Sequence, residues 1–293
     1  MSPLQVKVAA KINPILHIVA ERPDGYHDLS LVFQSISLWD SITLTPSAET
    51  RLLCDHPALP TDRSNLALQA AYLLQTKFPD RGGVTIELHK EIPIGAGLAG
   101  GSADGAGVLV GLNLLWQLGL SVAELQELAL ELGSDVPFCI TGGTAWGRGR
   151  GEILTPLPSP DWWVLVCKQR DLSVATGWAY RTYKAGRFIE QPKTLAIESI
   201  LYSWQTNPRL MTNDLEQAVL PHYPPIRELK TALQELGAAG VLMSGSGAAV
   251  FAVVPTEAAG REMERQITDR FPRLDTWLTH TLPAGVLVNN REK

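Results

Sequence analysis

The sequence predicts an α+β protein of two domains. Three observations carry that expectation. The chain has 293 residues, 45% of them hydrophobic, enough for one large core or two medium ones. Strand-like and helix-like segments follow one another in mixed order, without the regular alternation of a parallel-sheet protein. A glycine-rich stretch, PIGAGLAGGSADGAG from Pro93 to Gly107, joins a strand pattern to a long uncharged helix pattern.

The elements can be justified in order. Residues 4–10 and 14–20 are short apolar strand candidates, and Lys11-Ile12-Asn13-Pro14 between them sets a cation inside an apolar run. ERPDGYHDL is a turn marked by Asp24-Gly25. LSLVFQSISLW and DSITLTP read as strands, and the stretch from Ser64 to Phe78 as a helix with Ser64 or Asn65 at its N-cap. VTIELHKEIP alternates as a half-buried strand and leads into the glycine stretch. Gly105 to Leu118 is a buried helix. Ser121 and Glu124 form a capping box, Val122, Leu125, Ala129 and Leu132 mark one face of the next helix, and Gly133 caps its end. The Pro- and Gly-rich GGTAWGRGRGEILTPLPSP sets a domain boundary near residue 155, giving domains 1–155 and 156–293. Beyond it, WWVLVCK is a strand, and residues 174–184 and 192–205 read as helices. Ile226, Leu229, Leu233 and Leu236 share a helical face. VLMSGSGAAVFAVV is strand, turn, strand. TEAAGREMERQITDRF is an exposed helix before a last strand.

Composition narrows the function. Net charge is −5 with no basic run, so nucleic acid is not an expected partner. Gly105 to Ala123 is uncharged for 19 residues, but Asn113, Gln117 and Ser121 interrupt it and Gly119 ends the helix. About 14 helical residues would cover only about 21 Å, short of a bilayer span, so no membrane partner is expected. Cys54, Cys139 and Cys167 are odd in number and widely spaced, suggesting neither a disulfide framework nor a zinc site. MSPLQVKVAAKINPIL lacks the apolar core and cleavage site of a signal peptide. The expected compartment is the cytoplasm, or an organelle stroma if a transit peptide has been removed. The expected assembly is a monomer or homodimer.

The glycine stretch is the chemical signal. Glycines let backbone N–H groups approach an anion, and the helix behind adds unpaired donors and a favourable dipole. A tight turn that merely packs a helix on a sheet is the plain alternative. A Walker loop needs G-x-x-x-x-G-K, and Gly101 stands where the lysine belongs. Gly95, Gly97 and Gly100 match a dinucleotide fingerprint, but Lys90-Glu91 and Pro93 precede them and Glu124 lies in a helix cap. The further motifs of a protein kinase are missing.

The whole stretch resembles the phosphate loop of the GHMP kinases (galactose, homoserine, mevalonate and phosphomevalonate kinases), through Pro93, Gly97, Leu98, Gly100, Gly101, Ser102 and Ala103. Lys11-Ile12-Asn13 resembles that family's first motif, and Met243-Ser244-Gly245-Ser246-Gly247-Ala248 its third. The three occur in the family's order. Arg22 to Leu29, above all Asp24-Gly25-Tyr26-His27, resembles the branch acting on 4-diphosphocytidyl-2-C-methyl-D-erythritol, as do Leu132 to Pro137 and Asn213 to Glu216. Ala96 and Ala99 depart from the more glycine-rich loops of the family, and a methyl there is tolerable where φ is negative.

The resemblance implies a two-domain GHMP kinase fold with the active site in the cleft between domains, the second domain being a ferredoxin-like sandwich. It implies ATP-dependent phosphorylation of the substrate's 2-hydroxyl, giving the 2-phosphate and ADP, in the non-mevalonate isoprenoid route. Asp135 would be the base, with Lys11 beside it orienting the hydroxyl. By itself Ser-Asp-x-Pro reads as a helix cap, and Lys11 as a lysine that reaches the surface. Tyr26, His27 and Tyr180 would hold the cytosine, and Asn13 would contact the base or the polar tail. Pro93, Gly95, Ala96, Gly97, Leu98, Ala99, Gly100, Gly101, Ser102 and Ala103 would cradle ATP. Asn65 and Lys90 would lie near the nucleotide, although a helix cap and an exposed strand lysine are their plain alternatives. Ser244, Gly245, Ser246 and Gly247 would line the cleft. Mg²⁺ would accompany ATP and touch Ser102, its shell otherwise phosphate and water. Trp146, Trp162, Trp163 and Trp178 have no assigned role. Another GHMP kinase, such as homoserine kinase, a non-catalytic nucleotide-binding protein on the same fold, and a dinucleotide oxidoreductase are the alternatives.

Overall fold

The computed structural model describes residues 2–185 and 203–289. Most of the helix expected over 192–205 lies outside them. Two sheets organise the chain. The larger is built on two long antiparallel strands, β1 (Leu4–Glu21) and β2 (His27–Ser47), joined by the Asp24-Gly25 turn. Each merges two segments that read as separate strands in the sequence. β1 runs through Lys11-Ile12-Asn13-Pro14 because its pairing with β2 is irregular between Ile12 and Ile15. Such an irregularity accommodates a proline, which has no N–H for the ladder. Lys11 and Asn13, two residues apart on a strand, share one face.

β3 (Arg51–Cys54) and β4 (Gly83–His89) extend this sheet beyond β2. The turn-rich segment before residue 158 forms a hairpin, β5 (Thr144–Gly149) and β6 (Ile153–Leu157), on the other reach of β2. The short β8 (Thr212–Asn213) and the terminal β12 (Val286–Asn289) both pair with β1, so the second half of the sequence contributes strands to the first sheet.

Helix α1 (Leu66–Lys77) and helix α2 (Gly100–Leu115) pack together against this sheet. α2 begins five residues before the position read from its apolar pattern, so Gly100, Gly101 and Ser102 are its first turn. Its glycines permit a close approach. A methyl at Gly107 would lie 2.4 Å from Val8 Cγ1, and one at Gly111 2.4 Å from Leu44 Cδ1. Helix α3 (Val122–Leu132) starts at the expected capping box and buries Leu125, Leu128 and Ala129, while Val122 points to solvent. The short helix α4 (Val136–Thr141) follows at once.

The smaller sheet has the order β11-β7-β10-β9, with β7 (Trp163–Gln169), β9 (Gly240–Met243), β10 (Val250–Val254) and β11 (Leu274–His280) all antiparallel to their neighbours. Helices Pro224–Glu235 and Glu257–Arg270 pack on it with Ile226, Leu229 and Leu233 and with Met263 and Ile267 buried. This is the split β-α-β order of a ferredoxin-like layer. Helix α5 (Thr176–Ala185) leaves β7 and approaches the large sheet.

The four unassigned tryptophans have structural contacts. Trp146 Nε1 donates to Ser30 Oγ at 2.9 Å, and Trp162 packs edge-on against Trp204. Trp163 meets His280, and Trp178 meets His222 and Tyr223. Cys139 and Cys167 are buried free thiols whose pKa values burial raises, which makes them unreactive. Among the described residues no helix is long and apolar enough to cross a membrane.

Candidate active site

A cleft of about 920 Å³ opens between β1, the glycine loop, the start of α4 and the face of α5. Its floor is Lys11, 4% exposed. The ammonium donates to Asn13 Oδ1 at 2.7 Å and to the Gly97 carbonyl at 3.1 Å, and lies 3.4 Å from Asp135 Oδ2. Asn13 in turn donates to the Val32 carbonyl at 3.2 Å, which fixes its amide. A buried lysine requires such partners, and here one is a strand neighbour while Gly97 and Asp135 come from two distant parts of the chain. Asp135 stands at the N-cap of α4 but makes no side-chain cap hydrogen bond, so its carboxylate faces the cleft instead of closing the helix.

The Gly97 carbonyl also accepts from Ser244 Oγ at 2.9 Å. One peptide oxygen therefore ties Lys11, the glycine loop and the Met243–Ala248 turn together. Backbone bonds continue the seam, from Ala249 N to the Ala96 carbonyl at 3.1 Å. Asn213 Nδ2 holds the turn from behind, donating to the carbonyls of Met243 at 2.8 Å and Gly245 at 2.7 Å. Asp214 accepts from the Ile18 N–H at 3.0 Å and so fastens β8 to β1. Gly97 has φ +75°, and a methyl on it would sit 2.1 Å from the Ser244 carbonyl oxygen. Only glycine meets both conditions.

The loop ends at Ala99, the N-cap of α2, with φ 58° and no side-chain cap bond. A negative φ, the condition under which a methyl is readily tolerated, is therefore not met at Ala99, where the chain turns to enter α2. Ala96 is not among the positive-φ residues and meets it. With no side chain over the helix end, the first N–H groups of α2 at Gly100, Gly101 and Ser102 border the cleft. That is a ready anion site.

At the far end, His27 and Tyr180 rings lie 5.2 Å apart at 30°. Burial lowers the His27 pKa, and its Nε2 has no partner among the described residues. Burial raises the Tyr180 pKa, and the charge of Asp135 adds to that. Tyr26 is 51% exposed at the mouth, with the Arg150 guanidinium 3.9 Å over its ring.

Several expected site residues have another setting. Ala103 is buried in the core and lies outside the cleft lining. Ser244 and Gly247 stand behind the cleft wall that Gly245 and Ser246 form. Asn65 borders the cleft but caps α1, its Oδ1 accepting from Ala67 N at 2.9 Å and its Nδ2 donating to Pro60. Lys90 is no exposed strand lysine: its buried ammonium pairs with Asp40 and, at 2.7 Å, with Asp104. Burial pulls the Lys90 pKa down, but the two carboxylates outweigh it. Asp104 is pushed up to about 8, by burial against the pull of Lys90 and with the help of Asp40.

Arg150, Ser134 and Asp104 also border the cleft, and no sequence motif marks them as site residues. Arg150 lies in the turn-rich stretch read as a boundary, and its single cation carries no motif. Among the described residues no cluster of three His, Cys, Asp or Glu side chains could cage a metal ion.

Comparisons place the chain among known proteins. Residues 65–143 match the GHMP kinases N terminal domain and residues 198–273 the GHMP kinases C terminal domain. A 4-diphosphocytidyl-2-C-methyl-D-erythritol kinase from Acaryochloris marina is 46% identical, covering 92% of this chain and 93% of its own. The enzyme of that name from Gloeobacter violaceus is 43% identical over 100% of this chain and 99% of its own. A crystal structure of 4-(cytidine 5'-diphospho)-2C-methyl-D-erythritol kinase superposes with a TM-score of 0.80 at 34% identity, covering 95% of this chain and 99% of that one. Homoserine kinase from Cytophaga hutchinsonii shares the fold, with a TM-score of 0.78 at 20% identity and coverage of 99% and 98%. With its two sheets, its seam at Gly97 and relatives of this identity over nearly their whole length, the chain belongs to the 4-diphosphocytidyl-2-C-methyl-D-erythritol kinase family of GHMP kinases.

Proposed function

We propose that this chain transfers the γ-phosphoryl group of ATP to the 2-hydroxyl of 4-diphosphocytidyl-2-C-methyl-D-erythritol. The observation that carries this reading is the meeting of the three motifs at the Gly97 carbonyl, with the Lys11–Asp135 pair open to the same cleft. His27, Tyr180 and Tyr26 offer an aromatic, polar-edged pocket for cytosine at one end. The N-terminal turn of α2 offers N–H donors for the ATP phosphates at the other. Asp135 lies between and accepts the hydroxyl proton as that oxygen bonds the γ-phosphorus. The bond from phosphorus to the β–γ bridging oxygen breaks, and ADP leaves. Lys11 orients the hydroxyl and keeps the carboxylate aimed at it.

Mg²⁺ carried by ATP would supply charge neutralisation at the β- and γ-phosphates. The site fits such an ion, because a phosphate-borne Mg²⁺ keeps most of its waters and needs few protein oxygens. The Ser102 hydroxyl, in the open first turn of α2, is the residue that would touch it. The division into a nucleotide-binding domain, 1–155, and a second domain, 156–293, belongs to the same reading, with the boundary falling inside β6 and the second part lending β8 and β12 to the large sheet. So do action in the cytoplasm, the absence of a nucleic-acid partner, and assembly as a monomer or homodimer.

The test is ADP release with Mg²⁺-ATP and the cytidine-linked substrate, run beside Asp135→Asn. Turnover by the wild type, reduced about 10²–10⁴-fold in the variant, is expected. A wild type inert on this substrate but active on homoserine or mevalonate overturns the reading.

A further inference from the structure

We propose that Arg150 is the residue that recognises the diphosphate of the nucleotide-linked substrate and separates it from an uncharged nucleoside. The inference rests on the substrate class proposed above and assigns the part of it that the aromatic pocket and Asp135 leave unmet.

A substrate with its base at His27 and Tyr180 and its hydroxyl at Asp135 must lay the linking phosphates between them. Arg150 spans that interval. Its guanidinium stacks 3.9 Å over the Tyr26 ring, and its Nε and Nη2 donate to Ser134 Oγ at 3.2 and 3.1 Å. Ser134 is the residue before Asp135, so the clamp sets the cation directly beside the reacting end. The other cations of the cleft are mostly neutralised. Lys11 meets Asp135, Lys90 meets Asp40 and Asp104, and Lys184 meets Glu21. Among the described residues the guanidinium of Arg150 has no ion pair and its Nη1 has no acceptor. Asp24 feels its charge but is engaged by Arg22 and by the Tyr26 N–H. Among the described residues Arg181, on α5, is also without an ion pair, stacking partner or side-chain clamp, but it is exposed.

Stacking and the serine clamp hold the guanidinium plane while leaving N–H groups free. That is the arrangement a planar, bidentate phosphate receptor requires. A hairpin supports it, since the Arg150 N–H donates to Glu152 Oε2 at 2.6 Å and anchors the β5–β6 turn.

Cytidine, CMP, CDP and ATP are titrated by calorimetry against wild type, Arg150→Gln, Arg150→Lys and Arg181→Gln, with kcat and KM measured for the full substrate. Arg150→Gln is expected to weaken CDP by about tenfold or more while cytidine and ATP change less than about twofold. KM for the substrate rises with kcat largely kept, the mark of lost ground-state binding. Arg150→Lys, which retains charge and stem but not the fork, recovers part of the loss and shows that the fold is intact. Equal losses for cytidine and CDP would mean that Arg150 only braces Tyr26, and would overturn the proposal. So would a loss confined to ATP, or a CDP loss that follows Arg181→Gln instead. A wild type that does not turn over the cytidine-linked substrate sinks the functional reading itself. Normal turnover with an unaltered Arg150→Gln sinks only this inference.

Discussion

The Lys11 ammonium lies 3.4 Å from the Asp135 carboxylate, although the two residues come from a central strand and from a helix N-cap. The pair acts as a unit, so its two members are not expected to contribute additively. Lys11→Met and Asp135→Asn should each lower kcat by about 10²–10⁴-fold, and the double variant should be little worse than the poorer single one. Multiplicative losses in single-turnover measurements would show that the residues act independently.

Gly97 is the narrowest point of the seam. Gly97→Ala would press a methyl against the Ser244 carbonyl oxygen, 2.1 Å away, at a φ that L-residues avoid. A loss of about 1–3 kcal/mol in stability is expected, together with a fall in kcat as the loop parts from Lys11 and Ser244. Denaturant unfolding alongside steady-state kinetics checks both. An unchanged midpoint would mean that the seam yields without cost.

Ala99 is strained where the neighbouring glycines are not. Ala99→Gly should relieve a left-handed alanine at the start of α2 and add about 1 kcal/mol of stability. Thermal unfolding measures this directly. A lower melting temperature would show that the methyl, packed against the core, contributes more than the strain removes.

The Lys90–Asp40–Asp104 triad separates a structural lysine from a nucleotide ligand. Lys90→Met leaves two buried acids without their cation and should cost about 3–5 kcal/mol. Asp104→Asn should behave oppositely. With a folded pKa of about 8 against an ordinary value of 3.8, native Asp104 holds a proton that the unfolded chain has released. Its contribution therefore turns unfavourable as pH rises from 3.8 toward 8. The variant's stability advantage should grow across that window, which urea unfolding at pH 6 and pH 9 tests. Lys90 also borders the cleft, and a Lys90→Met protein of normal stability that has lost only ATP affinity would support its nucleotide role.

His27 is held neutral by burial, its pKa below the ordinary 6.5. Because the unfolded state binds the proton first, His27 supports stability fully above pH 6.5, and that support declines as pH falls below it. Cytidine affinity should be level from pH 8 to about 6.5 and weaken only at lower pH. Weakening that begins above 6.5, and that is lost in His27→Asn, would contradict the buried, neutral imidazole.

Local rules account for the elements whose signals are self-contained. The capping box at Ser121–Glu124, the Asp24-Gly25 turn, the apolar face of Pro224–Glu235 and the helix at Glu257–Arg270 all depend on neighbours within a few residues, and they stand where the pattern puts them. β1 and β2 look like halves in the sequence because their irregularities are compensated across the sheet, which a single strand does not reveal. The hairpin at Thr144–Leu157 was hidden by its glycines and prolines, since its pairing with β2 supplies the order that composition withheld.

The chain's chemistry lay open in its residues: a cation in an apolar strand, a glycine loop on a helix, an acid before a proline and a Tyr-His turn, each a local pattern with a physical use. Tertiary structure alone decided which side chains were free to act. Asp135 and Asn65 are both helix N-caps in the sequence, yet one carboxylate is open to the cleft while the other side chain is spent on its own helix. Lys11 and Lys90 are both lysines near apolar strands, yet two distant aspartates enclose Lys90 while Lys11 faces a half-exposed carboxylate. Arg150 carried no signal until the fold set it over Tyr26 beside Ser134. Charge and hydrogen-bonding capacity belong to the residue, but whether they are already satisfied depends on partners far away in the chain.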